Sequence, residues 1–166
     1  MTTGTLRAQG SELFFVDRTQ NSDPTLFKMA CPTGVTGVGG GAKDQLEDSC
    51  LDTVGDKTFK AGLGNPSAIS VPFNFIPSHQ SHQSLMALKA SGDVIPWRLC
   101  MSDGTATPTM DTDFSIEAPA GRTSVLFDGF VSECPIDVAT NEIVRGTLTI
   151  QRSGSEVWAW NGPVPT

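Results

Sequence analysis

The feature that most constrains this fold is the alternation of apolar and polar residues between glycine and proline turns. In segment 69–75 (Ile-Ser-Val-Pro-Phe-Asn-Phe) almost every second residue is apolar. A two-residue period is that of a β-strand with one buried face. The 17 glycines and 11 prolines add frequent turns between short elements. The chain is therefore predicted to be mainly β.

Further strands and one helix follow from the same patterns. Strands are predicted at 11–17, 26–30, 95–101, 113–117, 122–134 (the longest) and 143–152. Turn chemistry at 21–24 joins the first two in a hairpin. Pro72 cannot donate a ladder hydrogen bond, which places its strand at a sheet edge or on a bulge. The helix follows Pro77, with Ser78 or Ser81 as N-cap and Gly92 at its C-terminal end.

These elements predict one domain over residues 1–166, built as two packed β-sheets (a sandwich or barrel) flanked by one short α-helix. Three segments have no predicted place in that body: an N-terminal arm (1–10), a long glycine-rich loop (32–65) and a C-terminal tail (153–166). Loops of roughly 30 residues are uncommon in compact domains unless they are functional.

Charge and cysteine usage exclude several classes of protein. The net charge of −7 leaves no polybasic surface for specific nucleic-acid binding. No apolar run is long enough to cross a membrane, and the first residues lack a secretory signal, which predicts synthesis in the cytoplasm. The four cysteines form no CxxC pair, so they are interpreted as small buried hydrophobic residues.

No catalytic or cofactor motif is recognisable. His79 and His82 lack a third metal ligand at helical spacing and are expected to be solvated. The glycine run at 34–41 lacks the Gly-Lys-Ser/Thr ending of a phosphate-binding loop. We therefore expect no enzyme activity, no metal and no cofactor.

The unanchored segments carry isolated large apolar residues. These residues either fold back on their own domain or dock onto neighbouring subunits, and several such segments on one small chain favour docking. The candidate inter-subunit contacts are Leu6, Phe59, Leu63, Trp158 and Trp160.

The order of these elements resembles a known family. An Arg-Ala-Gln-Gly-Ser-Glu-Leu-Phe-Phe-Val start (7–16) leads through a hairpin into the long loop containing Leu-Asp-Thr-Val-Gly-Asp (51–56) and Ala-Gly-Leu-Gly-Asn (61–65). The strand Ser-Val-Pro-Phe-Asn-Phe (70–75), the helix, segment 97–103 and the strand Val-Leu-Phe-Asp-Gly-Phe-Val-Ser (125–132) follow. This arrangement resembles the tail tube (major tail) proteins of lambda-like phages with long non-contractile tails, over residues 5–160.

The resemblance implies a structural virion protein that assembles in the host cytoplasm. It implies hexameric rings stacked into a tube for DNA ejection into the host, with one sheet of each subunit joining a closed inner barrel. The long loop and both termini would make the contacts between rings. The implied partners are further copies of the chain, a tape-measure protein, terminator and tail-tip proteins, and genomic DNA that passes without specific binding.

An acidic or neutral lumen would let DNA slide, since DNA itself carries one negative charge per ~1.7 Å. The candidate lumen residues are Asp113, Glu117, Asp128 and Glu133. The alternative is that these acids face outer solvent. At the level of function, the alternatives are a monomeric β-sandwich binding module, such as an adhesin or capsid decoration protein, and a hydrolase on a β-sandwich.

Overall fold

The computed structural model describes residues 4–18 and 23–161. Within those ranges the elements, in chain order, are β1 (Glu12–Asp17), β2 (Thr25–Lys28), β3 (Lys43–Glu47), β4 (Phe59–Gly64), β5 (Ala68–Asn74), α1 (Gln80–Ser91), β6 (Ile95–Cys100), β7 (Ser124–Glu133), β8 (Ile136–Asp137) and β9 (Arg145–Ala159). The prediction of a mainly β fold with two sheets and one helix is confirmed.

One large antiparallel sheet has the strand order β2-β1-β6-β7-β9-β5, with β8 also pairing to β9. Strand β5 lies at the edge of this order, as Pro72 predicted. The sheet is curved: after β2 the chain crosses to β5 at the opposite edge, where isolated bridges join Pro32 to Phe73 and Thr36 to Ser70. The second sheet is the hairpin β3–β4 alone.

The concave face of the large sheet holds the main core. Its largest fully buried side chains include Trp97, Phe15, Phe73 and Phe127, contributed by four different strands. The Trp97 indole N–H donates to the carbonyl of Gly129 at 3.1 Å, so this buried polar group is satisfied. Helix α1 covers the core with Leu85 and Leu88.

Part of the convex face is covered too. Phe14, Val16 and Cys100 pack there beneath Ile116. The buried guanidinium of Arg98 donates to the Ile116 carbonyl at 2.8 and 3.0 Å, which fixes this covering segment on the sheet. The predicted strand at 113–117 is wrong, because Phe114 adopts a left-handed backbone conformation (φ 66) that interrupts an extended chain.

Helix α1 ends as predicted but begins differently. Gly92 adopts φ 71 and its N–H donates to the Leu88 carbonyl. The N-cap is His79, whose Nδ1 accepts from the Ser81 N–H at 3.2 Å, rather than Ser78 or Ser81. The expectation of a solvated His82 is wrong, since its ring is buried against Phe73 and Phe75.

Strand β9 lies between β7 and β5 and is the longest element, with 15 residues, so the prediction that segment 122–134 forms the longest strand is wrong: β7 has 10 residues. The first half of the predicted tail, residues 153–159, therefore belongs to the sheet; residues 160 and 161 follow β9, and residues 162–166 lie outside the described ranges. A register shift occurs opposite β7, where Leu126 pairs with Val157 and Asp128 with Ser153. Gly154, at φ 82, supplies the backbone conformation that this bulge requires.

The cysteine prediction holds for two residues only. Cys100 and Cys134 are buried, and burial raises the pKa of the Cys134 thiol to about 11. Cys31 and Cys50 are exposed, so they are not small core residues.

Candidate assembly surfaces

The hairpin β3–β4 stands away from the body of the molecule. Every residue of β3 and all but one of β4 are exposed. The hairpin and the turn that joins its strands display five large exposed apolar residues: Leu46, Leu51, Val54, Phe59 and Leu63. They have no core of their own chain to enter, which makes the hairpin a candidate contact surface for another molecule.

The predicted long loop therefore divides into two parts. Residues 32–42 lie on the body, where Val35 and Val38 pack against the main core and Thr33 donates to the Pro72 carbonyl. The hairpin begins after them. Its base is fixed by the Asn65 N–H, which donates to the Ala42 carbonyl at 3.0 Å.

The tip of the hairpin, residues 48–58, is organised by its own hydrogen bonds. The Thr53 N–H donates to the Cys50 carbonyl at 3.0 Å, and the Cys50 N–H donates to Thr53 Oγ1 at 3.1 Å. The Thr58 N–H donates to Ser49 Oγ at 3.0 Å. These bonds preform a turn that presents Leu51 to solvent.

A groove of about 690 Å³ lies beside the N-terminal arm. Its walls come from the arm, from residues 32–38 and from the end of β9; the apolar side chains facing it include Leu6, Val35, Val38, Leu99, Met101 and Trp158. The interpretation of 1–10 as an arm the body does not hold is wrong for residues 7–10. Ser102 Oγ donates to the Arg7 carbonyl at 2.5 Å, and Arg122 donates to the Gly10 carbonyl at 2.8 Å.

Arg122 is the centre of a polar cluster that anchors this end of the sheet. Its guanidinium is almost fully buried and forms a 3.1 Å ion pair with Glu12 Oε2. Partial burial raises the pKa of the Glu12 carboxyl, but hydrogen bonds from Lys28 and Arg122 outweigh that effect, and the net pKa is lowered.

The two C-terminal tryptophans stack on each other with ring centroids 5.0 Å apart. Trp158 is half-buried and packs against the main core, while Trp160 is 55% exposed.

The five candidate contact residues thus fall on two surfaces. Leu6 and Trp158 line the groove, Phe59 and Leu63 lie on the hairpin, and Trp160 stacks beside the groove on Trp158. The sequence analysis did not select Leu51 and Val54 as contact candidates. They could have been found as large apolar residues in an otherwise polar turn.

The convex face of β7, β9 and β5 forms an open polar surface. Half-exposed side chains from these strands cover it, including Ser70, Pro72, Phe130, Thr147, Thr149 and Gln151. Asp128 is exposed on this same face, opposite Ser153. We call it the open face.

The other candidate lumen acids lie around the open face. Asp113 and Glu117 are exposed on the segment that covers the neighbouring part of the sheet, and Glu133 is exposed at the end of β7. Hydrogen bonds from Ser115 lower the pKa of the Asp113 carboxyl. The structure thus leaves all four acids accessible, with Asp128 on the open face and Glu133 at its edge, opposite Thr149.

The described residues contain no group of three or more His, Cys, Asp or Glu side chains arranged to hold a metal ion. No helix in the described ranges is long and apolar enough to cross a membrane.

Comparison with solved structures supports the same fold. The chain superposes on a subunit of the SPP1 tail tube with a TM-score of 0.62, at 10% identity, covering 97% of this chain and 81% of the other. The tail of the empty gene transfer agent particle, refined with C6 symmetry, gives a TM-score of 0.65 at 11% identity, covering 94% and 100%. The anti-feeding prophage baseplate gives 0.60 at 10% identity. At these identities the comparisons show a shared fold.

Sequence comparison identifies the family. The chain is 30% identical over 156 residues to "Structural protein 3" of Pseudomonas phage PAJU2, with 92% of each protein covered. Residues 4–162 match the family model described as "Phage tail tube, TTP, lambda-like". The protein belongs to the lambda-like phage tail tube family, as a structural protein of the phage virion.

Proposed function

We propose that this protein self-assembles into stacked hexameric rings, forming the tube through which phage DNA is ejected into the host. The observation that carries the proposal is the hairpin β3–β4. It displays five large apolar side chains, among them Leu63 at 84% exposure, on a ribbon that packs on nothing else in the described chain. Burial of each such side chain against a neighbour is worth roughly 1.5–3 kcal/mol, so association of copies is favoured.

Unpaired strand edges supply a second reason for assembly. Strand β2 lies at one edge of the sheet and is only four residues long. Strand β9 continues to Ala159, whereas β5 pairs with it no further than Gln151, so β9 lacks a paired strand on that side beyond this point. Edges of this kind invite pairing with another copy, and closure of a ring removes them.

The open face is the surface best suited to line the tube. The opposite face of the sheet is filled by the core and covered by α1, while the open face is polar and uncovered. Its charged residues are few, and Asp128 brings negative charge to it. Apart from Arg145 at the start of β9, the wall consists mainly of hydroxyl and amide groups that offer DNA no cation to hold, so the duplex can slide. Asp113, Glu117 and Glu133 would add negative charge around this surface.

The family architecture supports the remaining parts of the proposal: assembly in the host cytoplasm, a tape-measure protein that sets tube length, and terminator and tail-tip proteins at the ends. A heterologous contact repeated without closure grows an open filament, so a length-setting partner is required.

Electron microscopy of the purified protein at increasing concentration tests the proposal. We expect rings of six subunits and stacked tubes, and we expect Trp160→Ala to weaken stacking while leaving the monomer folded. A protein that stays monomeric at all concentrations, with or without a tape-measure protein, would support a monomeric binding module instead.

A further inference from the structure

The inference concerns what the hairpin tip contacts, and it rests on the proposed tube assembly. We propose that the groove beside the N-terminal arm is the receptor for the hairpin tip of a neighbouring copy, with Leu51 and Val54 entering the groove.

The two surfaces are complementary in polarity and size. Leu51 and Val54 are fully exposed at the tip. The apolar side chains that line the groove come from the arm, β1, residues 32–38, the end of β6 and the end of β9, and its volume of about 690 Å³ accommodates several side chains. Each surface leaves apolar area in water that the other would cover.

Charge complements the apolar contact. At the tip, Asp48 pairs with Lys60, and near it Glu47 pairs with Lys57. No ion pair engages Asp52 within the described ranges, and the same holds for Arg7 on the groove wall. Seating the tip in the groove brings this unpaired acid of one copy to the unpaired base of the next.

The tip is built to reach another molecule. The strands β3 and β4 form a ribbon of about 17 Å, and the tip's own hydrogen bonds hold its turn before any contact is made. A preformed turn loses less conformational entropy on docking than a flexible loop. Because tip and groove are different surfaces, the contact is heterologous and propagates from copy to copy.

Cysteine cross-linking tests the contact in assembled tubes. In a Cys31→Ser, Cys50→Ser background, Leu51→Cys is combined either with Ala8→Cys in the groove wall or with Val138→Cys, an exposed control site outside the groove. Under copper–phenanthroline oxidation we expect the Ala8 pair to give a ladder of covalent multimers on non-reducing gels, and the Val138 pair to give none. If tubes form but only the Val138 pair cross-links, or neither pair does, the inference is overturned. The proposed tube assembly is unaffected by that result.

A charge exchange provides an independent readout without cysteines. Arg7→Glu and Asp52→Arg are each expected to raise the concentration needed for tube formation by about fivefold or more, and the double variant to return it toward the wild-type value. Additive losses in the double variant would contradict the pairing. Failure of the wild-type protein to form tubes would instead refute the proposed function, and this inference with it.

Discussion

At the scale of single residues, the structure assigns buried polar groups that hold distant segments together. His82 links the helix to two loops: its Nδ1 accepts from the Ile76 N–H at 2.9 Å and its Nε2 donates to the Ala30 carbonyl at 2.7 Å. In the sequence, His79 and His82 were equivalent candidates for solvated residues. The fold separates them, because only His82 points into the packed interface between α1 and β5.

We expect His82→Ala to destabilise the monomer far more than His79→Ala. The first substitution leaves a partly buried N–H and a partly buried carbonyl without their partner and opens a cavity beside two phenylalanine rings, at a cost of about 3 kcal/mol. The second removes an exposed helix cap, at a cost of about 1 kcal/mol. Urea unfolding measures both. Equal losses would contradict the assigned role of His82.

The Glu12–Arg122 pair predicts a component of acid sensitivity. The pKa of Glu12 is lower in the folded state than in the unfolded chain, where it is near 4.5. The ionised carboxylate therefore contributes its full stabilisation above pH 4.5, and this stabilisation is lost as the pH falls through the folded-state pKa. We expect Glu12→Gln to cost about 1 kcal/mol at pH 7 and much less at pH 3. Unfolding free energies at both pH values provide the check, and a difference independent of pH would refute the charge-based explanation.

At the scale of elements, the described residues separate into a packed body and one hairpin that packs on nothing else. Residues 32–42 are rich in glycine and carry no charged side chain, and they lie on the body because Val35 and Val38 reach the core. The hairpin carries larger apolar residues among many charged ones, but these apolar residues have no buried partner. Contacts with the core therefore decide which part of the predicted long loop packs and which part projects.

Deletion of the hairpin should abolish assembly and spare the fold. The Asn65 N–H already donates to the Ala42 carbonyl, so residues 43–64 can be replaced by a Gly-Gly turn with little change at the junction. We expect the unfolding free energy to change by less than about 1 kcal/mol, with no tubes visible by electron microscopy. A variant that fails to fold, or one that still forms tubes, would contradict this division.

At the scale of the whole molecule, one sheet serves two environments. Its concave face is the core, and its convex face is divided between a second apolar cluster and the open face. A charged substitution on the open face is expected to affect DNA binding only in the assembly, because the charge is then repeated in every subunit of every ring.

Thr149→Lys is therefore expected to make reconstituted tubes hold DNA. Thr149 lies mid-strand on the open face, and a ring of lysines there would bind duplex DNA by counterion release, more strongly at low salt. Binding of a short fluorescent duplex, measured across salt concentrations, tests this, with Thr149→Glu as the matched control. Equal DNA binding by the two variants would place the open face outside the lumen.

The sequence by itself determined the features whose evidence is local: the alternation in 69–75, the edge position implied by Pro72 and the Gly92 helix end. The order of these features along the chain was also sufficient for the family resemblance. Only the tertiary structure decided which patterns share a surface. The extension of β9 through the predicted tail, the burial of His82 and the groove formed by Leu6, Val38 and Trp158 all depend on contacts between distant residues. Such contacts form when the curved sheet brings separate segments together. The periodicity of apolar residues reports only on local structure and does not predict which distant segments meet.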